Sequence, residues 1–261
     1  MEHGTHISNY ISSTMKIMAR GLQITERPIT KLKEFDWLLN QNQIVTILGD
    51  CGSGRSSLTI KMVDNLSIDK QIPTLYLCVR GSMSEFIDRL IDFRCPKNSY
   101  EANRESVIKE IGKSPIYLYS KCLMDIDDVC DVCMEHVLSY GIKVLFLHFE
   151  YVNYKMDNAF QLRALAKRLG ITIVIIASIW ELRDGIYDKY PRLSDLCDSR
   201  LNEYSDTVIG LFNYSANDIL IDDEGNDVKD LLHVNILKLY GKLENINFQI
   251  NKSSLRCKTG Y

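Results

Sequence analysis

The segment Gln43–Ser56, QIVTILGDCGSGRS, opens as a short β-branched apolar run, Gln43–Leu48, and ends in a glycine-rich turn. From Arg55 to about Asp69 the chain then takes a helical pattern. The order is strand, phosphate-sized loop, helix. Gly49-Asp50-Cys51-Gly52-Ser53-Gly54-Arg55-Ser56 fits G-x-x-x-x-G-K-[ST] except that arginine stands in place of lysine. Glycines let successive backbone N–H groups turn inward around a phosphate, and the helix N-terminus that follows adds the positive end of its dipole. Gly49 through Ser57 are the candidate phosphate-binding residues, and Ser56 stands where a hydroxyl can ligate Mg²⁺. The competing reading is a glycine-serine turn with nothing bound. Arg55 changes the chemistry, because a guanidinium is a wide planar fork and a lysine ammonium is a compact point charge. Binding tolerates that exchange better than catalysis does.

Outward from this segment, Thr74–Val79, Ile116–Tyr119, Val144–Phe149, Ile171–Ala177 and Thr207–Phe212 are further strand candidates. They are mostly apolar, not alternating, as expected of parallel strands covered on both faces. Helical patterns near 84–94, 100–112, 125–140 and 157–169 separate them, so two-thirds of the chain reads as βα units. Right-handed crossovers then give an α/β fold with a mostly parallel sheet and helices on both faces. After Asp206 the pattern changes to Thr207–Asn213, a turn-rich DDEGND at 222–227, Leu232–Leu239 and Ile246–Ile250. This predicts an antiparallel extension at one sheet edge. Ile7, Ile11, Met15 and Met18 mark one face of an N-terminal helix over 7–20.

The chain has 261 residues, 46% hydrophobic and 25% charged, which excludes disordered and collagen-like classes. A chain this long buries roughly 70–75% of its unfolded surface and needs no disulfide or metal to make a core. There is no signal-peptide pattern, and no apolar run approaches the ~20 residues of a membrane span. The expectation is therefore a cytoplasmic protein with no membrane contact, whose eight cysteines are free thiols, mostly in the core. Thirty-one Lys+Arg against 34 Asp+Glu give a net charge of −3. That is no basic footprint, so any DNA partner must be held by a local patch or by several subunits around a channel.

From about residue 28 to about 250 the sequence resembles the C-terminal, RecA-like motor domain of DnaB-type replicative DNA helicases. The resemblance is carried by the phosphate loop, LYLCVRGSMSEFIDRL at 75–90, PIYLY at 115–119, VLFLHFEYV at 144–152, FQLRALAKRLGITIVIIAS at 160–178, PRLSDLCDS at 191–199 and ILKLYGK at 236–242. Leu162 through Ser199 is the most specific part. The resemblance implies a RecA-like P-loop fold over 28–250, a linker-like N-terminal arm over 1–27 and a loose tail over 251–261. It implies ATP or another nucleoside triphosphate with Mg²⁺ as ligands. The implied partners are single-stranded DNA, a replication protein, and further copies of the chain in a ring.

Carried across residue by residue, the resemblance also implies that the catalytic posts are degenerate. The family's catalytic glutamate is replaced by Arg80, its magnesium-holding aspartate by His148, its glutamine sensor by Ser178 and its arginine finger by Tyr240. Lys238 matches a family lysine and is a candidate for a phosphate held by a neighbouring subunit. Glu150, two residues after His148, shares its strand face and is a candidate to hold the metal through water. An imidazole suits hard Mg²⁺ poorly. Loss of an arginine finger alone is worth roughly 10³–10⁵ in turnover. The expectation is nucleotide binding with weak or no hydrolysis. Its alternatives are an active ring helicase and an interaction module with a vestigial nucleotide site.

At the family's DNA-facing loop the chain has Cys197, Asp198 and Arg200, and only Asp198 keeps the chemistry. The preceding loop, 181–192, balances Glu181, Asp184 and Asp188 against Arg183, Lys189 and Arg192. Arg183, Lys189, Arg192 and Arg200 are the candidate DNA contacts, without the positive groove that single strands require. Tyr187 and Tyr190 could stack on bases, but local packing is the preferred reading. Cys130-Asp131-Val132-Cys133 lacks a second pair at zinc spacing and falls in a helix, which favours core thiols. His3 and His6 read as a plain N-terminal arm, DDEGND as a solvated hairpin turn, and the apolar stripe over Met156–Leu169 as sheet-facing core.

Overall fold

The computed structural model describes residues 40, 42–78, 83–95, 101–121, 125–149, 156–179, 190–196 and 200–256. All of them lie in one compact unit, Leu38–Tyr261. The N-terminal helix expected over 7–20 and His3 and His6 fall outside the described residues.

Strand β1 (Ile44–Gly49) leads into helix α1 (Arg55–Val63), which continues as a π-helical turn, Asp64–Asp69. There follow β2 (Thr74–Cys78), α2 (Met83–Arg94), α3 (Glu101–Lys113), β3 (Ile116–Ser120), α4 (Ile126–Tyr140), β4 (Val144–Phe149), α5 (Met156–Leu169) and β5 (Thr172–Ser178). A 3₁₀ turn at Leu193–Leu196 and the short helix α6 (Leu201–Tyr204) precede β6 (Thr207–Asn213), β7 (Leu231–Leu239), β8 (Lys242–Asn251) and α7 (Ser253–Arg256). The strands form one sheet in the order β3-β2-β4-β5-β1-β6-β7-β8. The pairs from β3 to β6 are parallel, while β6–β7 and β7–β8 are antiparallel. Both the parallel sheet and its antiparallel extension match the sequence expectation.

Side chains alternate across the strands and fill two layers. On one face Ile44, Leu48, Leu75, Leu77, Leu145, Leu147, Ile173 and Ile175 pack with Val129 and Cys133 of α4 and with Ala159, Leu162, Leu165 and Ala166 of α5. The stripe on α5 is therefore core, as its spacing predicts. On the other face Tyr76 stacks on Phe86 of α2, with ring centroids 4.0 Å apart. An Asp125–Asp128 capping box starts α4 and a left-handed Gly141 ends it.

Two ion-pair hubs join these layers. Asp206 gives its carboxylate to the Ile44 N–H at 2.8 Å and to both terminal nitrogens of Arg163 on α5. Its own N–H returns to the Ile44 carbonyl at 2.8 Å, and its carbonyl accepts the Gly241 N–H. One residue thus ties the start of β1 to α5 and to the β7–β8 hairpin. The second hub follows from the π-helical turn, which sets Asp64 and Asp69 five residues apart on one side. Arg94 binds both, and Glu110 of α3 at 2.8 Å. These partners hold its guanidinium more strongly protonated than usual, against the opposing effect of burial.

The chain beyond Asn251 departs from the expectation of a loose tail. Leu255 is 3% exposed and Lys252 is 7% exposed. The Lys252 ammonium donates to Ser215 Oγ at 2.6 Å and to the Lys229 carbonyl, while Lys61 of α1 donates to the Ser254 carbonyl at 2.9 Å. A single leucine among polar residues gives no periodicity to read, so the packing of this segment was not visible in the sequence.

The side chains of Arg94 and Asp64 are only 8% and 3% exposed, so removing one partner strands a buried charge. Arg94→Ala should lower the unfolding free energy by about 3–5 kcal/mol in urea titrations, and Arg94→Ala with Asp64→Ala should cost less than the single change.

Candidate phosphate-binding site

β1 ends between β5 and β6, with Gly49 in register with Ser178 on one side and Leu211 on the other. The loop therefore leaves the sheet at the carboxyl ends of its central strands. In open α/β sheets that is the crevice in which ligands bind. A Cβ on Gly49 would stand 2.7 Å from the Leu211 carbonyl and inside contact distance of Ser53 Oγ, so only glycine fits there. Gly54 has φ +97°, a left-handed value that turns the chain into α1.

The loop is braced internally and from β6. Asp50 closes the turn, accepting the Ser53 N–H on its carbonyl at 3.1 Å and the Cys51 N–H on its carboxylate at 2.6 Å. Asn213, the last residue of β6, donates its side-chain amide to the Gly52 carbonyl at 2.8 Å. Asn217 in turn donates to the Asn213 carbonyl at 2.9 Å. No side chain caps α1, and its first turn carries no acid. Its positive end is thus left to face whatever occupies the loop. Ser53 is 3% exposed, yet its Oγ has no hydrogen-bond partner, and the same holds for the buried Asn213 Oδ1. Arg55 is 8% exposed, and Ser56 and Ser57 are partly exposed beside it. Glycines at the tight positions and an uncapped helix start suit a polyanion such as a triphosphate.

The remaining posts suit a metal ion less well. His148 sits on β4 opposite Cys78 and Ile176, and its Nδ1 is bonded to the Tyr76 hydroxyl at 2.9 Å. That imidazole is a nitrogen ligand already engaged by a neighbour. The hydroxyl of Ser56 is the one hard oxygen donor among the described metal candidates, and no group of three metal-binding side chains occurs among the described residues. No chemical step through Mg²⁺ is derived from this donor set. Ser178 ends β5 beside Gly49, a short hydroxyl next to the loop. Arg80 and Glu150 lie outside the described residues.

Lys238 and Tyr240 sit away from the loop, at the far end of the β7 ladder. The Lys238 ammonium donates to the Asn202 carbonyl at 2.9 Å and, more weakly, to Glu203, capping α6. Burial pulls its pKa below the ordinary lysine value, with Arg163 adding to the effect and Asp206 opposing it. A bond to a neighbour's phosphate would require it to leave both carbonyls. Tyr240 and Gly241 form the two-residue turn between β7 and β8, with φ +49° and +82°, a type I′ hairpin.

The DNA-contact candidates are engaged locally where they are described. Arg200 pairs with Glu203 at 2.5 Å and lies over the Tyr204 ring. Arg192 is exposed and starts the 3₁₀ turn, its N–H capped by Asp195 at 2.7 Å. Arg183, Lys189, Cys197, Asp198 and Tyr187 lie outside the described residues. Tyr190 stacks on Phe212, centroids 4.3 Å apart, and meets His233 edge-on. Burial and the neighbouring Tyr214 raise its phenol above the ordinary range. It packs locally, as the sequence reading preferred.

The DDEGND turn is a solvated hairpin in which Asp222 accepts from the Glu224 and Asn226 N–H groups. The bracing role of Asn213 was missed in the sequence. Its one signal there is an amide side chain at the carboxyl end of a strand adjacent to β1.

The comparisons bear on the fold. No family model matches the chain, and no curated protein matches its sequence. Among solved structures, the isolated ATPase domain of a DnaB-like helicase superposes with a TM-score of 0.74 at 17% identity, covering 94% of this chain and 95% of that one. A DnaB-like replicative helicase, described with its interactions with primase, superposes with a TM-score of 0.68 at 17% identity, covering 94% and 68%. The chain therefore has the RecA-like fold of a P-loop ATPase domain. Within that class its structure is similar to the ATPase domain of DnaB-type helicases, the resemblance read in the sequence.

Thiol chemistry separates the loop from the core. Cys51 is exposed in the phosphate loop, whereas burial, with a smaller contribution from Cys130, pushes the Cys133 thiol up to about 12. Iodoacetamide at pH 8 should alkylate Cys51 in the folded protein and leave Cys133 unmodified until urea unfolds it, as read by peptide mass mapping.

Proposed function

We propose that the chain is a DnaB-helicase-like nucleotide-binding protein, linked to DNA replication or a mobile element, that holds ATP or another nucleoside triphosphate with weak or no hydrolysis. One observation carries this reading: an uncapped helix start behind a glycine-shaped loop is retained, while the β4 post beside it holds an imidazole bonded to Tyr76. Binding of the polyphosphate rests on main-chain amides of the loop and the first turn of α1, with Arg55 and Ser56 beside them. Hydrolysis needs a preorganised carboxylate, metal and finger acting together, and losing even one donor costs on the order of 3–4 kcal/mol of barrier.

The partners follow the same resemblance. A ring of like subunits, single-stranded DNA and a replication protein such as primase are proposed as interaction partners, since a DnaB-like helicase of this fold interacts with primase. A second reading, in which the nucleotide site is vestigial and the domain only binds proteins, is favoured by the burial of Arg55. A guanidinium shielded from water at that position competes with a phosphate for the same space.

Calorimetric titration with Mg-ATP separates these readings. Saturable heat in the native protein, lost in Gly54→Asp, supports nucleotide binding, and equal heats or none removes it. In a coupled assay turnover should stay below about 1 s⁻¹, the low end of ordinary enzymes, and Arg55→Lys alone should not raise it above that level.

A further inference from the structure

We infer that Asn213 is a positioning residue for the phosphate loop, holding one of its peptide planes in the orientation that a bound polyphosphate requires. The inference deepens the nucleotide-binding reading and rests on it for its consequence, though not for its geometry.

The peptide between Gly52 and Ser53 is gripped at both ends. Its carbonyl accepts from Asn213 Nδ2 at 2.8 Å, and its N–H donates to the Asp50 carbonyl at 3.1 Å. A planar trans peptide fixed at both its oxygen and its hydrogen cannot rotate. Gly52 has φ +76°, and glycine moves readily between such values and others, so this plane is the natural place for the loop to flip. A flip would turn a carbonyl oxygen, in place of an amide, toward the phosphate position and repel an anion there.

Two further facts single out Asn213. Its Oδ1 is buried without a hydrogen-bond partner, so the amide keeps an unmatched acceptor in order to present its donor to Gly52. Its own carbonyl is fixed by Asn217, and Ala216 on the same turn would lie 3.3 Å from a Cβ on Gly52. The turn after β6 is thus seated directly against the loop. Only a side chain with a hydrogen to give serves this post. A carboxylate of the same shape would put an oxygen against an oxygen.

The test compares the native protein with Asn213→Ala and with the isosteric Asn213→Asp, by two readouts. The first is amide hydrogen exchange of the peptide covering residues 49–57 without ligand. Both variants should exchange there about five-fold faster, the effect of one net hydrogen bond, with β3 and α4 unchanged. The second is the calorimetric affinity for Mg-ATP, which should fall about five-fold or more, with Asn213→Asp at least as weak as Asn213→Ala.

Native exchange at the loop in both variants would overturn the inference. So would an Asn213→Asp protein that behaves as native, because space-filling alone would then explain the residue. So would faster exchange spread over the whole sheet, which would mark Asn213 as a general stability residue. If the native protein shows no Mg-ATP binding, the nucleotide reading fails, and the exchange result still decides the role of Asn213.

Discussion

Strand β1 is sealed on every side. It pairs with β5 and β6 along both edges, its residues from Ile44 to Gly49 are buried, and both of its faces carry core side chains. A strand so enclosed must be apolar throughout, and the chain can leave it only at its carboxyl end, between Ser178 and Leu211. The crowding there excludes any side chain at Gly49. The helix that follows has to begin immediately, with its first amides turned back over the strand end. The phosphate loop is thus the geometric consequence of burying β1 and returning to the sheet by way of α1.

The electrostatics of the domain keep that arrangement rigid. Asp206 fixes the origin of β1, Arg94 fixes the π-helical end of α1, and the Lys61–Ser254 bond ties α1 to the C-terminal segment. These contacts lie around the loop and spend none of its amides. In contrast, the side chains that would cut a phosphate bond have partners unrelated to such chemistry. His148 is held by Tyr76, Lys238 caps α6, and Tyr240 forms a hairpin tip. The scaffold keeps what a fold needs for holding an anion, and the catalytic posts have been given over to packing.

Much of this was legible in the sequence because burial leaves a mark on composition. β4 and β6 carry unbroken apolar runs, and α5 presents Ala159, Leu162 and Ala166 at helical spacing, so the βα order and the antiparallel extension could be read directly. The phosphate loop was legible because glycines at Gly49, Gly52 and Gly54 answer a steric demand. What escaped was polar and long-range. Asn213 meets Gly52 across 161 residues, Arg163 meets Asp206 across 43, and Lys252 packs on Ser215 across 37. Single hydrogen bonds between distant residues have no period and no composition. The π-helical turn was invisible for the same reason, since its purpose lies in Arg94, thirty residues from Asp64.

A domain with a sound anion cradle and dispersed catalytic posts should behave as a nucleotide receptor, and its loop amides should report the ligand directly. The decisive measurement is an amide nuclear magnetic resonance titration of the ¹⁵N-labelled protein with Mg-ATP. The account predicts large, saturable shifts of the Gly54, Arg55 and Ser56 N–H signals, with β3 and β8 unmoved. Shifts confined to other parts of the sheet, or none at saturating nucleotide, would contradict it.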